Sequence, residues 1–285
     1  MEERIGSLVR PTSGRICVLG LIAVTASGCW NDPLVEATPE DRITVVEDPI
    51  LLDERIEYLD VQLEIEDPSL VSSAAVAVGI PSSSAAQVEP VRLKLIAEVA
   101  PPELSGIRLQ ATHVATQSNT AYVSYNVQGP VFRGAIDAFD DMDTGTPALT
   151  SSMRFHDADV SAVAYSSSSV YLATGVVEGS FPTTAVLEVV PLRDGNRRFG
   201  KETRRVELPS SVGTGVTVFN NLIYVTAGDG GPVPGGLSVF DEDSLEPVTA
   251  DPFADARAVS ADGDRVVALR GSPAELRIYD KDFAT

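Results

Sequence analysis

Four times from about residue 106 onward a short apolar run, a polar turn and a second apolar run follow one another. The units are Thr112-His113-Val114-Ala115 with Ala121-Tyr122-Val123-Ser124, and Ser161-Ala162-Val163-Ala164 with Val170-Tyr171-Leu172-Ala173. Then come Gly215-Val216-Thr217-Val218 with Ile223-Tyr224-Val225-Thr226, and Ala256-Arg257-Ala258-Val259 with Val266-Val267-Ala268-Leu269. The turns between the runs are Ser-, Asn-, Asp- and Gly-rich, which favours tight reversals and predicts hairpins. A further short strand is expected after each hairpin, at residues 135–140, 184–190, 236–241 and 275–280. Three of these close on an aromatic and an aspartate: Phe139-Asp140, Phe240-Asp241 and Tyr279-Asp280.

Tyr122, Tyr171, Tyr224 and Val267 stand 49, 53 and 43 residues apart. A period of roughly 40 to 50 residues with several short strands per unit predicts an all-β chain, a β-propeller of four-stranded blades. Each blade is a twisted sheet with two apolar faces, and it can hide both only between neighbours. The small residues Ala115, Ala164, Gly215 and Ala258 near the strand starts would let the blades converge on an axis. Four blades are visible over residues 101–285, so the ring is small, is completed by another copy, or continues in a longer chain. A β-sandwich is the alternative. The units resemble the YVTN and LVIVD classes of propeller repeat, with Ile223-Tyr224-Val225-Thr226-Ala227-Gly228-Asp229-Gly230 as the stretch most alike. WD-type repeats fit less well, because the chain lacks their Trp-Asp pairs and Trp30 is its sole tryptophan.

The other end of the chain has a separate logic. Arg4, Arg10 and Arg15 precede an apolar run over residues 16–26, followed by Ser27, Gly28 and Cys29. A positive end, a short apolar core and small residues predict an export signal over residues 1–28. The run is shorter than the roughly 20 apolar residues that a spanning helix needs. Ala26-Ser27-Gly28-Cys29 resembles a lipobox, the site at which bacterial lipoproteins are cleaved and acylated on cysteine; the family usually places Leu where Ala26 stands. The resemblance implies a lipid on Cys29 and a bacterial cell-envelope location, membrane-anchored and facing the periplasm or the surface. Ordinary secretion with an incidental cysteine is the alternative. Cys17 lies within the leader, so the mature chain would hold no disulfide.

Residues 29–42 are polar and acidic with Pro33 and Pro39, which predicts a lipidated tether. Residues 43–100 are expected to form a degenerate β segment and a loop. Val61, Leu63 and Ile65 alternate with polar residues, as do Val91, Leu93, Leu95, Ala97 and Val99, and a Ser/Ala-rich stretch separates the two runs.

Acidic residues number 41 against 21 basic ones, a net charge of −20, a field that repels nucleic acid and anionic headgroups. That acidity suits a surface adapted to high salt, and equally an exported acidic protein of an Arg-preferring genome.

No nucleophile elbow or zinc-protease pair is present, so no catalytic residue is assigned. His113 and His156 are the two histidines, and in His156-Asp157 a carboxylate could orient the imidazole. Asp137, Asp140, Asp141 and Asp143 with Gly145 form the densest acid cluster. Asp137, Asp141 and Asp143 are the candidate ligands for Ca²⁺, which takes six to eight oxygens, and a solvated turn is the competing reading. Asp241 and Asp243 occupy a similar place in another unit, which argues for turn chemistry. The glycine-rich stretch from Gly228 to Gly236 lacks the Lys and helix of a phosphate loop and is expected to join two strands. Together these readings predict an envelope binding module for an unknown protein or glycan partner. The alternatives are a propeller-type hydrolase or lyase, assisted by calcium, and a structural lipoprotein.

Overall fold

The computed structural model describes residues 34–36, 42–64, 92–179, 181–195, 198–228 and 234–280. The leader, Cys29 and the Ser/Ala-rich stretch lie outside them. Within them the chain is all-β, with one helix of five residues. No helix among them is long and apolar enough to cross a membrane.

The N-terminal part supplies β1 (Leu34–Glu36), β2 (Ile43–Val46), α1 (Pro49–Asp53), β3 (Ile56–Glu64), β4 (Arg92–Val99), β5 (Glu103–Leu104) and β6 (Ile107–Arg108). Helix α1 begins where the Asp48 carboxylate accepts from the Ile50 N–H at 2.9 Å, with Pro49 in the first turn. β3 pairs antiparallel with β4, and β5 with β6.

Four antiparallel meanders follow in chain order. Sheet 1 is β7 (Gln110–Gln117), β8 (Thr120–Asn126), β9 (Gly134–Asp140) and β10 (Ala148–Phe155). Sheet 2 is β11 (Ala158–Tyr165), β12 (Ser169–Val176), β13 (Ala185–Arg193) and β15 (Arg204–Glu207), with the short β14 (Arg198–Phe199) also beside β13. Sheet 3 is β16 (Val212–Phe219), β17 (Leu222–Gly228), β18 (Gly236–Asp241) and β19 (Pro247–Pro252). Sheet 4 has three strands, β20 (Ala256–Asp262), β21 (Arg265–Arg270) and β22 (Glu275–Asp280).

The N-terminal segment widens two of these sheets. β2 adds a fifth strand to sheet 1 by pairing with β10, and β1 adds an outer strand to sheet 2 by pairing with β15. Composition predicts an unpaired tether over residues 29–42, yet Leu34–Glu36 is a strand. A sheet edge recruits passing backbone through N–H and C=O groups, whatever the side chains are.

The first hairpin of every meander breaks register at one corresponding place: between Ala111 and His113, Val160 and Ala162, Gly213 and Gly215, and Ala256 and Ala258. The extra residues are Thr112, Ser161, Thr214 and Arg257. Bulges of this kind bend and twist a strand, and here two of them also reach the next sheet. Thr112 Oγ1 donates to the Val160 carbonyl at 2.8 Å, and Thr214 Oγ1 to the Ala256 carbonyl at 2.9 Å.

The first strands lie side by side, β7 against β11, β11 against β16 and β16 against β20. Small residues permit this approach. A Cβ on Gly215 would stand 2.9 Å from the Ala258 Cα, and where β9 meets β11 one on Gly134 would stand 2.7 Å from the Ala158 carbonyl oxygen.

The core is a stack of apolar layers, one per sheet interface. Tyr122, Ile136, Met153 and Phe155 of sheet 1 meet Val163, Val186 and Phe199 of sheet 2. Tyr171, Leu187 and Val189 meet Ile223, Val225 and Phe240. Tyr224, Leu237 and Val239 meet Val266 and Ala268. The recurring tyrosines each enter the layer between their own sheet and the next, which explains their spacing. The other face of sheet 1 is covered from the N-terminal part, by Leu52, Ile56 and Val99 over Phe139 and Leu149.

Candidate functional site

The first strands of the four sheets together wall a groove of about 300 Å³. β7 contributes His113, Ala115 and Thr116, β11 contributes Val163 to Tyr165, β16 contributes Val216 to Val218, and β20 contributes Val259 and Ser260. Its polar groups are an imidazole and the hydroxyls of Thr116, Thr217 and Ser260. His113 is held by its Nδ1, which accepts a long bond from the Val163 N–H at 3.4 Å. Ala115 and Ala164, small residues singled out by their place in the repeat, form part of the wall. The arrangement can hydrogen-bond an uncharged polar ligand.

His156 and Asp157 do not work as a pair. His156 Nε2 lies 3.1 Å from Thr44 Oγ1 of β2. Asp157 instead accepts two bonds from Arg205, at 2.9 and 3.1 Å, and a longer one from Arg42 at 3.4 Å. Both arginines also meet Glu188, whose side chain is fully buried. Arg205 Nε donates at 2.9 Å, the Arg42 guanidinium closes on the other oxygen, and Thr203 Oγ1 donates to Glu188 at 2.7 Å. Burial alone would lower the Arg205 guanidinium, but Glu188 and Asp157 outweigh it and hold the group above its ordinary value. This network fastens the N-terminal segment to sheet 2. The sequence reading missed it, although a lone acid within Ala185-Val186-Leu187-Glu188-Val189-Val190 is a signal of a buried, partnered carboxylate.

The three candidate calcium ligands are not brought together. Asp137 lies inside β9, fully buried, where Arg55 grips both its oxygens at 2.5 and 3.2 Å. Asp141 and Asp143 lie in the turn after β9, organised by Asn119, which donates to Asp141 at 3.4 Å and accepts from the Asp143 N–H at 3.3 Å. Among the described residues no three acids, histidines or cysteines stand together as a metal would require. The physical reason is the strand period: Asp137 points from β9 to Arg55, on the face of sheet 1 away from sheet 2, while the others belong to the reversal beyond the strand. The turn reading of Asp241 holds, since its carboxylate accepts from the backbone of Ser244 at 2.8 Å and of Asp243 at 3.2 Å. Those bonds hold its carboxyl below the usual carboxylate range. The glycine-rich stretch does join two strands, β17 and β18, and its residues 229–233 lie outside the described ones.

Asp159, at the start of β11, is perturbed for another reason. Burial pushes its carboxyl up to about 6, against the opposing pull of backbone N–H bonds from Arg133, at 2.8 Å, and Val127. It ties the loop between β8 and β9 to the neighbouring sheet.

No family model matches the chain, and no curated protein matches it. Among solved structures, the crystal structure of the computationally designed Ika4 protein is similar at 17% identity and a TM-score of 0.37. The match covers 62% of this chain and 95% of that one. A likeness of that degree assigns no family.

Proposed function

We propose that this chain is an exported bacterial lipoprotein, acylated on Cys29, whose stacked meanders are blades of a β-propeller and serve as a binding module in the cell envelope. The observation that carries the binding reading is the groove walled by all four first strands. The hydroxyls of Thr116, Thr217 and Ser260, with the His113 imidazole beside them, match the hydroxyls of a glycan better than a charged ligand. The leader, the cysteine after Ala26-Ser27-Gly28 and the absence of a catalytic motif from the sequence support the location and the non-enzymatic role. An anchored module of this kind holds a partner near the membrane.

Two measurements test this. Palmitate labelling followed by membrane fractionation is expected to place label on the wild-type chain and none on Cys29→Ser; an unlabelled, freely soluble wild type overturns the anchor. Screening immobilised neutral glycans is expected to give binding that Thr217→Val weakens at least tenfold. Binding unaffected by that change removes the groove from the reading.

A further inference from the structure

One residue in the wall of the groove departs from its own repeat. The residue that follows each register break is small in three sheets, Ala162, Gly215 and Ala258, and is His113 in the first. Close approach of the first strands asks for a small side chain here, since a Cβ on Gly215 would already stand 2.9 Å from the Ala258 Cα. Departures from a fold's local rules concentrate at functional positions.

The imidazole crosses from β7 to the edge of sheet 2. β11 is the edge strand there, and the Ser166 N–H donates across its hairpin to the Ser169 carbonyl at 2.9 Å. Alternation back along the strand then turns the main-chain groups of Tyr165 and Val163 away from β12. The Val163 N–H finds His113 Nδ1 at 3.4 Å. Accepting that bond takes the Nδ1 lone pair, so the ring is neutral and carries its proton on Nε2. The groove thereby gains a fixed polarity. The hydroxyls of Thr116, Thr217 and Ser260 turn to donate or to accept, whereas the imidazole Nε2–H only donates.

We infer that His113 is the specificity-determining residue of the groove, its Nε2–H bonding an acceptor oxygen of the sugar held beside β7 and β11. This rests on the binding reading of the groove. An imidazolium carries a proton on both nitrogens, so acid sets an Nδ1–H against the Val163 N–H, donor facing donor. The ring turns away, the Nε2–H leaves its place, and the sugar is released. The strands packed against β7 are β8 and β11, and the one charged residue on the three is Asp159, four positions before Val163 and outside the groove wall. Their tyrosines, Tyr122, Tyr125 and Tyr165, are raised by burial and stay neutral.

Binding of the detergent-extracted full chain to immobilised glucans, galactans and mannans tests this at about pH 8 and about pH 5, the range over which an imidazole takes up a proton. The wild type is expected to bind at least tenfold more weakly at the lower pH. His113→Gln keeps an acceptor and an N–H donor without titrating. It is expected to bind within about fivefold of wild type at the higher pH, and equally at both. His113→Leu is expected to lose at least tenfold at the higher pH, and Asp159→Asn to keep the wild-type pH dependence. Nitrogen-15 NMR reads the ring without a ligand and without altering His113. The chain has two histidines, so His156→Gln leaves one signal, expected to show the proton on Nε2 at about pH 8. A proton on Nδ1 overturns the inference, as does equal wild-type binding at the two pH values or a pH dependence that survives His113→Gln. Failure to bind any of these glycans at either pH overturns the binding reading itself, and this inference with it.

Discussion

Thr214 Oγ1 donates to the Ala256 carbonyl at 2.9 Å, from the bulge of one sheet to the residue just ahead of the bulge in the next. Thr112 and Val160 repeat the bond between sheets 1 and 2 at 2.8 Å. Each threonine also stands beside a second hydroxyl, Thr226 at 3.1 Å and Ser124 at 2.8 Å. Thr214→Val keeps the shape and removes the donor, leaving a carbonyl without its partner. A loss of about 1 to 2 kcal/mol is expected in urea unfolding with an unchanged slope. An effect below about 0.3 kcal/mol would show that water replaces the bond.

Close approach of β16 to β20 rests on a missing side chain. A Cβ at position 215 would meet backbone atoms of Ala258 and Val259 at 2.9 and 3.1 Å, and backbone cannot rotate away. Gly215→Ala is expected to cost about 1 to 3 kcal/mol. Gly145→Ala, with nothing within 4 Å of the new carbon, is expected to stay within about 0.5 kcal/mol of wild type. Equal effects at the two positions would refute the packing argument.

Arg42 is the latch of the N-terminal segment. Its removal leaves fully buried Glu188 with Arg205 and Thr203 as partners, so Arg42→Ala is expected to destabilise by about 2 to 4 kcal/mol. Combined with Glu188→Gln the costs should fall well short of additive, since the neutral amide no longer needs two cations. Strict additivity in that double-mutant cycle would mean that the two side chains act separately.

Asp159 gives the fold a pH dependence of calculable sign. Burial raises its folded-state value to about 6, above the ordinary carboxylate value near 4, so the folded chain resists its ionisation. Its contribution is most favourable below pH 4 and declines as the pH climbs from about 4 through 6. Asp159→Asn retains an acceptor for the Arg133 N–H and has no charge to desolvate. It is expected to melt higher at pH 8, by roughly 1 kcal/mol once partial exposure is allowed for, and to flatten the melting profile between pH 4 and 6.5. A variant that tracks the wild-type profile would assign the pH dependence to other groups.

Strands were legible because their period is local. β18 and β22 begin and end where alternation and the aromatic-Asp closure place them, at Gly236–Asp241 and Glu275–Asp280. The four hairpins were legible for the same reason, two apolar runs about a turn. Asp137 was misread because spacing along the chain groups it with Asp141 and Asp143, whereas the last strand residues before the turn separate them. The lone acid in the run over residues 185–190 signals a partner for Glu188, but which residue that is left no local trace, since Arg42 stands 146 positions away.

Amino-acid order alone determined that this chain makes short strands in four recurring units, because side-chain alternation and turn chemistry act over a handful of residues. Tertiary structure alone decided which outer strands the N-terminal segment supplies and which carboxylates are buried against arginine. Those outcomes depend on which backbone edges and faces meet in space, and apolar burial is satisfied by any complementary face, so a one-dimensional pattern does not say which one arrives.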